Sequence, residues 1–277
     1  MSPKSLKHCC VDEFFGTYLL IFMTLVLSWA FKVTNLFHSD NTNEIVYWTE
    51  FSLTFGSCYV FLFVLILFFG HGGALFNPAL VLAMWTNKGF KAKQSVCYLL
   101  VELVGTILAG LTVYVIAGSY DHTQWANPTT LGITTINQHI WVDKINIDGV
   151  NQAGIASMLL GFMIEFGFFA LFTLAIFQLA KRRYNQKNKR SELQCCMINS
   201  VLITLFLVVI VTVQIPLTGA SCNPFRSLAP LVFQSWGENA ALGWIQYPLY
   251  LLSTIIGAQL GVLCSVQLSK KKIAAPV

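Results

Sequence analysis

The chain of 277 residues is 56% hydrophobic and 10% charged, and it carries a formal net charge of +5. A water-soluble globular domain does not have that balance, so the composition describes a polytopic helical membrane protein. The positive charge invites a nucleic-acid or anionic partner, but its distribution along the chain gives another answer below.

In chain order, residues 1–11 form a short basic tail, and the 18-residue uncharged run from Phe14 to Phe31 predicts a first crossing with Glu13 at its lip. That run is long enough to span and has no small-residue cleavage site after it, so it reads as a transmembrane helix and not as a removed signal. A polar connection at 32–49 leads to a second crossing over about 50–70, a non-helical segment, and a half-helix at 78–86 closed by Asn87-Lys88-Gly89. The third crossing, 94–118, is interrupted only by Glu102. A long polar connection at 119–152, with Asn127-Pro128, several threonines and Asp121, Asp143 and Asp148, precedes a fourth crossing at about 154–180 that contains Glu165. After the basic stretch Lys181 to Arg190, a fifth crossing is expected at 195–216, ended by Pro216. A second half-helix at 224–234 and a sixth crossing between Leu242 and Leu268 complete the chain before Lys270-Lys271-Lys272.

Two of these runs have the wrong length. From Phe51 to Asn87 there are 37 residues without Asp, Glu, Lys or Arg, whereas one crossing takes roughly 20. The run from Cys195 to Phe225, extended past the lone Arg226 to Gly237, repeats the excess. Each holds one span and a half, and in each the half opens with Asn-Pro. Asparagine is a favoured helix N-cap and proline a favoured first helical residue, so Asn77-Pro78 and Asn223-Pro224 each start a short helix. The Gly-rich segments before them, Gly72 to Phe76 and Gly219 to Cys222, must be non-helical at membrane depth. Such backbone is tolerated only where it is buried in protein or lines a watery cavity, and a pore follows.

With six crossings and both termini in the cytoplasm, fourteen of the 17 basic residues fall inside, only Lys32 and Lys144 fall outside, and Arg226 lies in the membrane. The positive charge is therefore an orientation signal, and no nucleic-acid partner is called for. All eight cysteines lie in hydrophobic runs or at their basic ends, so no structural disulfide is expected, and no spacing suggests a metal site. The halves also repeat: Glu13-Phe14 recurs as Glu165-Phe166, 152 residues on, and Asn77-Pro78 as Asn223-Pro224, 146 residues on. Three crossings per half make the second copy inverted, which brings the two broken helices face to face at mid-bilayer.

The paired Asn-Pro motifs, Gly219-Ala220-Ser221-Cys222-Asn223-Pro224-Phe225-Arg226-Ser227-Leu228-Ala229-Pro230, the glutamates Glu13 and Glu165, and Gly105 and Gly257 resemble the aquaporin, or major intrinsic protein, family over nearly the whole length. The resemblance implies a single all-α transmembrane domain of six crossings plus two re-entrant half-helices in a right-handed bundle, with repeats at about 11–118 and 154–268. It implies a passive channel for water, with glycerol, urea, ammonia or hydrogen peroxide as further neutral permeants. It also implies a homotetramer in the lipid bilayer, in the plasma membrane or an organelle membrane, with no catalysis and no cofactor.

The pore motifs would be Asn77, Pro78, Ala79, Asn223, Pro224 and Phe225. The side-chain amides of Asn77 and Asn223 would donate to a passing water, and the carbonyls of Gly72, Gly73, Ala74, Leu75, Gly219, Ser221 and Cys222 would accept from it. Opposed helix N-termini would add a positive centre that repels cations. By resemblance Arg226 belongs to a narrow selectivity filter, with Ala220 and Val211 at two other positions; ungapped counting places Ser57 at the fourth, and Phe55 fits if two residues are inserted. Glu13 and Glu165 would accept from the re-entrant amides. Glu102 stands where many relatives carry glutamine, and two roles stay open for it, a brace or a protonated acid. Phe225 replaces the usual alanine and is expected to put bulk beside the constriction. Leu75 stands where many relatives carry a histidine, and Val211 where strict water channels commonly carry another. Two other classes remain in play: a structural or junctional protein whose pore Phe225 has closed, and an ion-coupled transporter built on Glu102 and Glu165.

Overall fold

In hydrocarbon every backbone N–H and C=O must find a partner within the chain, and a long apolar run does so only as a helix. A computed structural model of the chain describes residues 5–34, 56, 59–70, 73–120, 132–137, 140–147, 150–186, 192–233 and 238–269. Its helices are α1 (Leu6–Thr34), α2 (Phe61–Phe69), α3 (Pro78–Thr86), α4 (Ala92–Tyr120), α5 (Ile155–Gln186), α6 (Glu192–Thr218), α7 (Pro224–Phe233) and α8 (Glu238–Ser269). Five of them hold stretches long and apolar enough to cross a membrane: Leu6–Ala30, Ala92–Ser119, Ile155–Lys181, Gln194–Thr218 and Leu242–Leu268. Of the expected second crossing only residue 56 and residues 59–70 are described, and α2 makes up nine of them.

Burial runs opposite to that of a soluble protein. Leu100, Val104, Leu108 and Leu111 on α4 and Leu252, Ile256, Leu260 and Leu263 on α8 face outward, while Glu13, Glu102, Glu165 and Arg226 are buried. Lipid is the solvent that rewards this arrangement. The two halves pack alike, α1 on α4 and α5 on α8. A methyl group added at Gly105 would lie 2.9 Å from the Phe14 carbonyl oxygen, and one at Gly257 would lie 2.7 Å from that of Phe166. Glycine is what lets these backbones approach so closely. Both members of the contact shift by the same 152 residues between halves, so the repeat in sequence is a repeat in packing.

Two expectations need correction. Pro216 does not end α6, which continues to Thr218; the Gly219 amide bonds the Ile215 carbonyl at 3.0 Å, so the proline sits inside the last turn. The 119–152 connection also carries a hairpin, with β1 (Lys144–Ile147) antiparallel to β2 (Val150–Ala153) and Lys144 paired with Ala153. The sequence has Asp-Gly at 148–149, a pair favoured between the strands of a hairpin, and those two residues lie outside the described ones.

Just before the hairpin, Asp143 serves the start of α5. Its carboxylate accepts from the Ser157 hydroxyl at 2.7 Å, from the Ser157 amide at 2.8 Å and from the Ala156 amide at 3.1 Å. These bonds, led by that of the Ser157 hydroxyl, hold the Asp143 carboxyl below its ordinary value. A depressed acid stabilises the fold above its unfolded pKa, and that contribution disappears as pH falls through the folded value. Melting of wild type and Asp143→Ala in detergent is therefore expected to differ at neutral pH and to converge on acidification; a constant gap across pH would refute the assignment.

Candidate functional site

The segments before the two half-helices have the same unusual backbone. Ala74 and Phe76 have φ of 49° and 46°, and Ala220 and Cys222, 146 residues on, have 49° and 46°. Each such left-handed non-glycine residue costs about 1–2 kcal/mol, so something must hold the segments in place. In the first half Glu13 does so, its Oε1 accepting from the Leu75 amide at 3.1 Å and its Oε2 from the Phe76 amide at 2.9 Å. In the second half Glu165 accepts from the Ser221 amide at 3.0 Å, the Cys222 amide at 3.3 Å and the Thr218 hydroxyl at 2.5 Å. Glu102 takes the next amide of the first segment, Asn77 N–H, at 3.1 Å, and so acts as a brace there. The second half has no acid at that point: its position, Thr254, bonds the Tyr250 carbonyl of its own helix at 2.7 Å.

Asn77 and Asn223 cap α3 and α7. Asn77 Oδ1 accepts from the Ala79 amide at 3.0 Å, and Asn223 Oδ1 accepts from the Phe225 and Arg226 amides at 3.0 and 3.4 Å. Their amide nitrogens do something the sequence did not reveal. Asn77 Nδ2 donates to the Cys222 carbonyl and Asn223 Nδ2 to the Phe76 carbonyl, both at 2.8 Å. Each half-helix thus ties its cap residue to the last left-handed residue of the other half's re-entrant segment. An amide group has two N–H donors, so one remains on each asparagine.

Beside this clasp lies a cavity of about 50 Å³, lined at the clasp by Asn77, Asn223, Ser221, Cys222, Leu75 and Arg226. That volume suits a short file of waters and not bulk solvent. Away from the clasp the wall is largely apolar, with Leu62, Ile66, Phe172 and Leu207, and Tyr59 and Thr24 are the hydroxyl-bearing residues in it. None of these six stood out in the sequence.

Of the other sequence candidates, Ala74 lines the cavity, whereas Ala220 and Val211 are fully buried outside its lining. Gly73 and Gly219 supply further positive φ values of 120° and 74°. Pro78 and Pro224 open the half-helices, and Ala79 is buried behind Asn77. Ser57 and Gly72 lie outside the described residues. Phe225 is placed differently from the expectation: it packs against a cluster holding Ile21, Leu25, Ala109, Val113 and Ala229, and it is absent from the cavity wall. Helical phase explains this. The residues three beyond each asparagine, Leu80 and Arg226, face the cavity, so those two beyond, Ala79 and Phe225, are turned about 100° away.

An inverted pair of broken helices joined by their caps around a narrow cavity defines a membrane protein of the re-entrant half-helix class. The family described as "Major intrinsic protein" matches residues 1–265, and the chain belongs to that family. A glycerol uptake facilitator protein of Haemophilus influenzae is 28% identical over 276 residues, covering 98% of this chain and 95% of its own. Aquaporin Z of Photorhabdus laumondii is 28% identical over 189 residues, 68% of this chain and 71% of that one. The fold resembles the X-ray structure of the aquaglyceroporin from Plasmodium falciparum, with a TM-score of 0.67, 17% identity, and coverage of 96% and 98% of the two chains.

Proposed function

We propose that the chain is a passive channel in which water, together with small neutral solutes, crosses the bilayer through the cavity between α3 and α7, while protons and ions are excluded. The observation that carries this reading is the reciprocal asparagine clasp, which sets two amide donors at one point of a water-sized cavity. A water that accepts from both asparagines has its lone pairs engaged and both hydrogens turned outward. It cannot accept a proton from a neighbour, so a hydrogen-bonded file has no through-path for proton hopping. Two helix N-termini, each equivalent to about half a positive charge, and the buried Arg226 oppose cations. Neutral molecules meet no such barrier.

The carbonyls of the left-handed segments supply the acceptors that the apolar wall lacks. Each subunit is read as holding its own passage, with four subunits to an assembly, both termini cytoplasmic, and the plasma membrane as its site. Water and glycerol permeability of the purified protein in liposomes, measured side by side by light scattering, tests the proposal; water flux equal to that of empty liposomes would end it.

The closed-pore alternative depended on Phe225. Since that ring packs between α1 and α4, Phe225→Ala is expected to leave water permeability within about twofold of wild type. The same substitution removes the buried part of the ring and is expected to cost about 1–2 kcal/mol of stability. A large gain in flux would restore the closed-pore reading.

A further inference from the structure

The seam between α5 and α8 carries an open groove on the outside of the bundle, and it shares no lining residue with the cavity at the asparagine clasp. Its volume is about 470 Å³, and it is walled by α5 between Met163 and Leu174 and by α8 between Leu260 and Cys264. Met163, Gly167, Leu171 and Leu174 recur at helical spacing, so one stripe of α5 forms that wall. Every lining residue is apolar, and Met163, Leu171 and Leu260 are exposed at the rim.

Two glycines shape the groove in different ways. At Gly261 a methyl group would lie 2.5 Å from the Ala170 carbonyl oxygen, so the helices touch there and close the floor. At Gly167 it would meet no described atom within 4 Å, so helix packing does not call for this glycine. A glycine that packing does not need only weakens its helix. The 152-residue repeat puts Phe15 at the matching place in the first half, where its ring stacks on Phe69 with centroids 6.1 Å apart. A ring in one half is replaced by open space in the other.

Length and charge name what fills that space. Glu165, the brace of the re-entrant segment, stands beside the Met163 end, which puts that end at the depth where the two half-helices meet. From Met163 to Leu174 the helix rises about 16 Å, close to the roughly 15 Å of hydrocarbon in one leaflet. The other end runs toward positive charge. Lys181 lies about 10 Å beyond Leu174 along α5, and its Nζ donates to Ser265 Oγ at 3.0 Å, on the same seam and one residue past the lining residue Cys264. The sequence goes on with Arg182-Arg183 after Lys181 and with Lys270-Lys271-Lys272 after α8. Apolar cavities smaller than this groove stay dry and take up apolar ligands. A hydrocarbon tail lying in it would end, at its headgroup, beside basic residues that attract anionic lipid.

We propose that the α5–α8 groove is a binding site for one acyl chain of an anionic phospholipid, drawn from the leaflet at the basic end of the bundle. Gly167 makes the site by leaving out the ring that the first half carries.

The test counts phosphatidylglycerol molecules retained per subunit by the purified full chain in detergent, by native mass spectrometry, with phosphatidylcholine as the comparison lipid. Gly167→Phe restores the ring of the first half and is expected to lose one tightly held phosphatidylglycerol per subunit. Leu171→Phe narrows the groove from its exposed rim, is expected to do the same, and serves as the test should Gly167→Phe not fold. Leu252→Phe, exposed on α8 outside the groove, is expected to keep the wild-type count. Wild type is expected to retain phosphatidylglycerol at least fivefold better than phosphatidylcholine, the factor carried by one basic residue near a membrane surface. Equal lipid counts in wild type and both groove variants would overturn the proposal, as would equal retention of the two lipids by the wild type. A changed oligomer mass with an unchanged lipid count would overturn it too, and would assign the groove to a second copy of the chain.

Discussion

Glu165→Ala is expected to abolish water conduction and to cut the yield of folded protein. The carboxylate accepts from two consecutive amides, Ser221 and Cys222, and from the Thr218 hydroxyl, all buried. Truncation leaves the two amides without an acceptor, each at about 1–3 kcal/mol, and leaves the Thr218 hydroxyl only its longer bond of 3.5 Å to the Gln214 carbonyl. The amides sit in a segment that already holds two left-handed non-glycine residues. A sum of several kcal/mol competes with a typical total stability of about 5–15 kcal/mol, so the segment refolds or the protein does not fold. Glu165→Gln keeps one acceptor oxygen and is expected to fall between. Glu13→Ala is expected to be milder than Glu165→Ala, because Glu102 still holds the Asn77 amide in the first half. Water permeability per incorporated protein, read with the size-exclusion profile, checks all three; wild-type flux from Glu165→Ala would show that the brace is dispensable.

Asn223→Ala is expected to lower water permeability about tenfold or more without preventing assembly of the bundle. The cap to the Phe225 and Arg226 amides is lost, at about 0.5–2 kcal/mol, and so is the bond to the Phe76 carbonyl across the halves. With both gone, the donor at the cavity centre is missing and the two half-helix ends are no longer tied from this side. Asn223→Asp separates the functions: it keeps the accepting oxygen of the cap but replaces the donor by an anion. Its melting temperature is expected to stay near wild type while the barrier to protons weakens, measured with a trapped pH dye. If Asn223→Ala conducts water like wild type, the clasp has no part in permeation.

Much of this arrangement was legible beforehand, for physical reasons. A charge-free run of one span and a half can only turn back, and Asn-Pro states where the helix restarts, so α3 and α7 were placed within a residue of their observed ends. Glu13 and Glu165 were legible as acids too costly to sit idle in hydrocarbon, while their role as acceptors for the re-entrant amides came from the family resemblance. What escaped notice depended on direction or distance. Whether Phe225 faced the cavity or the α1–α4 seam was a question of helical phase. The Asn77–Cys222 and Asn223–Phe76 bonds join residues 145 and 147 apart, and nothing local announces them. The hairpin was announced by Asp148-Gly149 but masked by the polar threonine-rich stretch around it. Thr24 is an ordinary threonine until the fold brings the cavity to it.

The unlike linings of the two halves, Leu75 and Leu80 against Ser221 and Arg226, make the cavity lopsided from end to end. A lopsided conduit with no fuel still obeys microscopic reversibility. Whatever sieving Arg226 imposes on inward traffic it imposes equally on outward traffic, so a cell carrying this protein sets net direction solely by what it accumulates or consumes on either side.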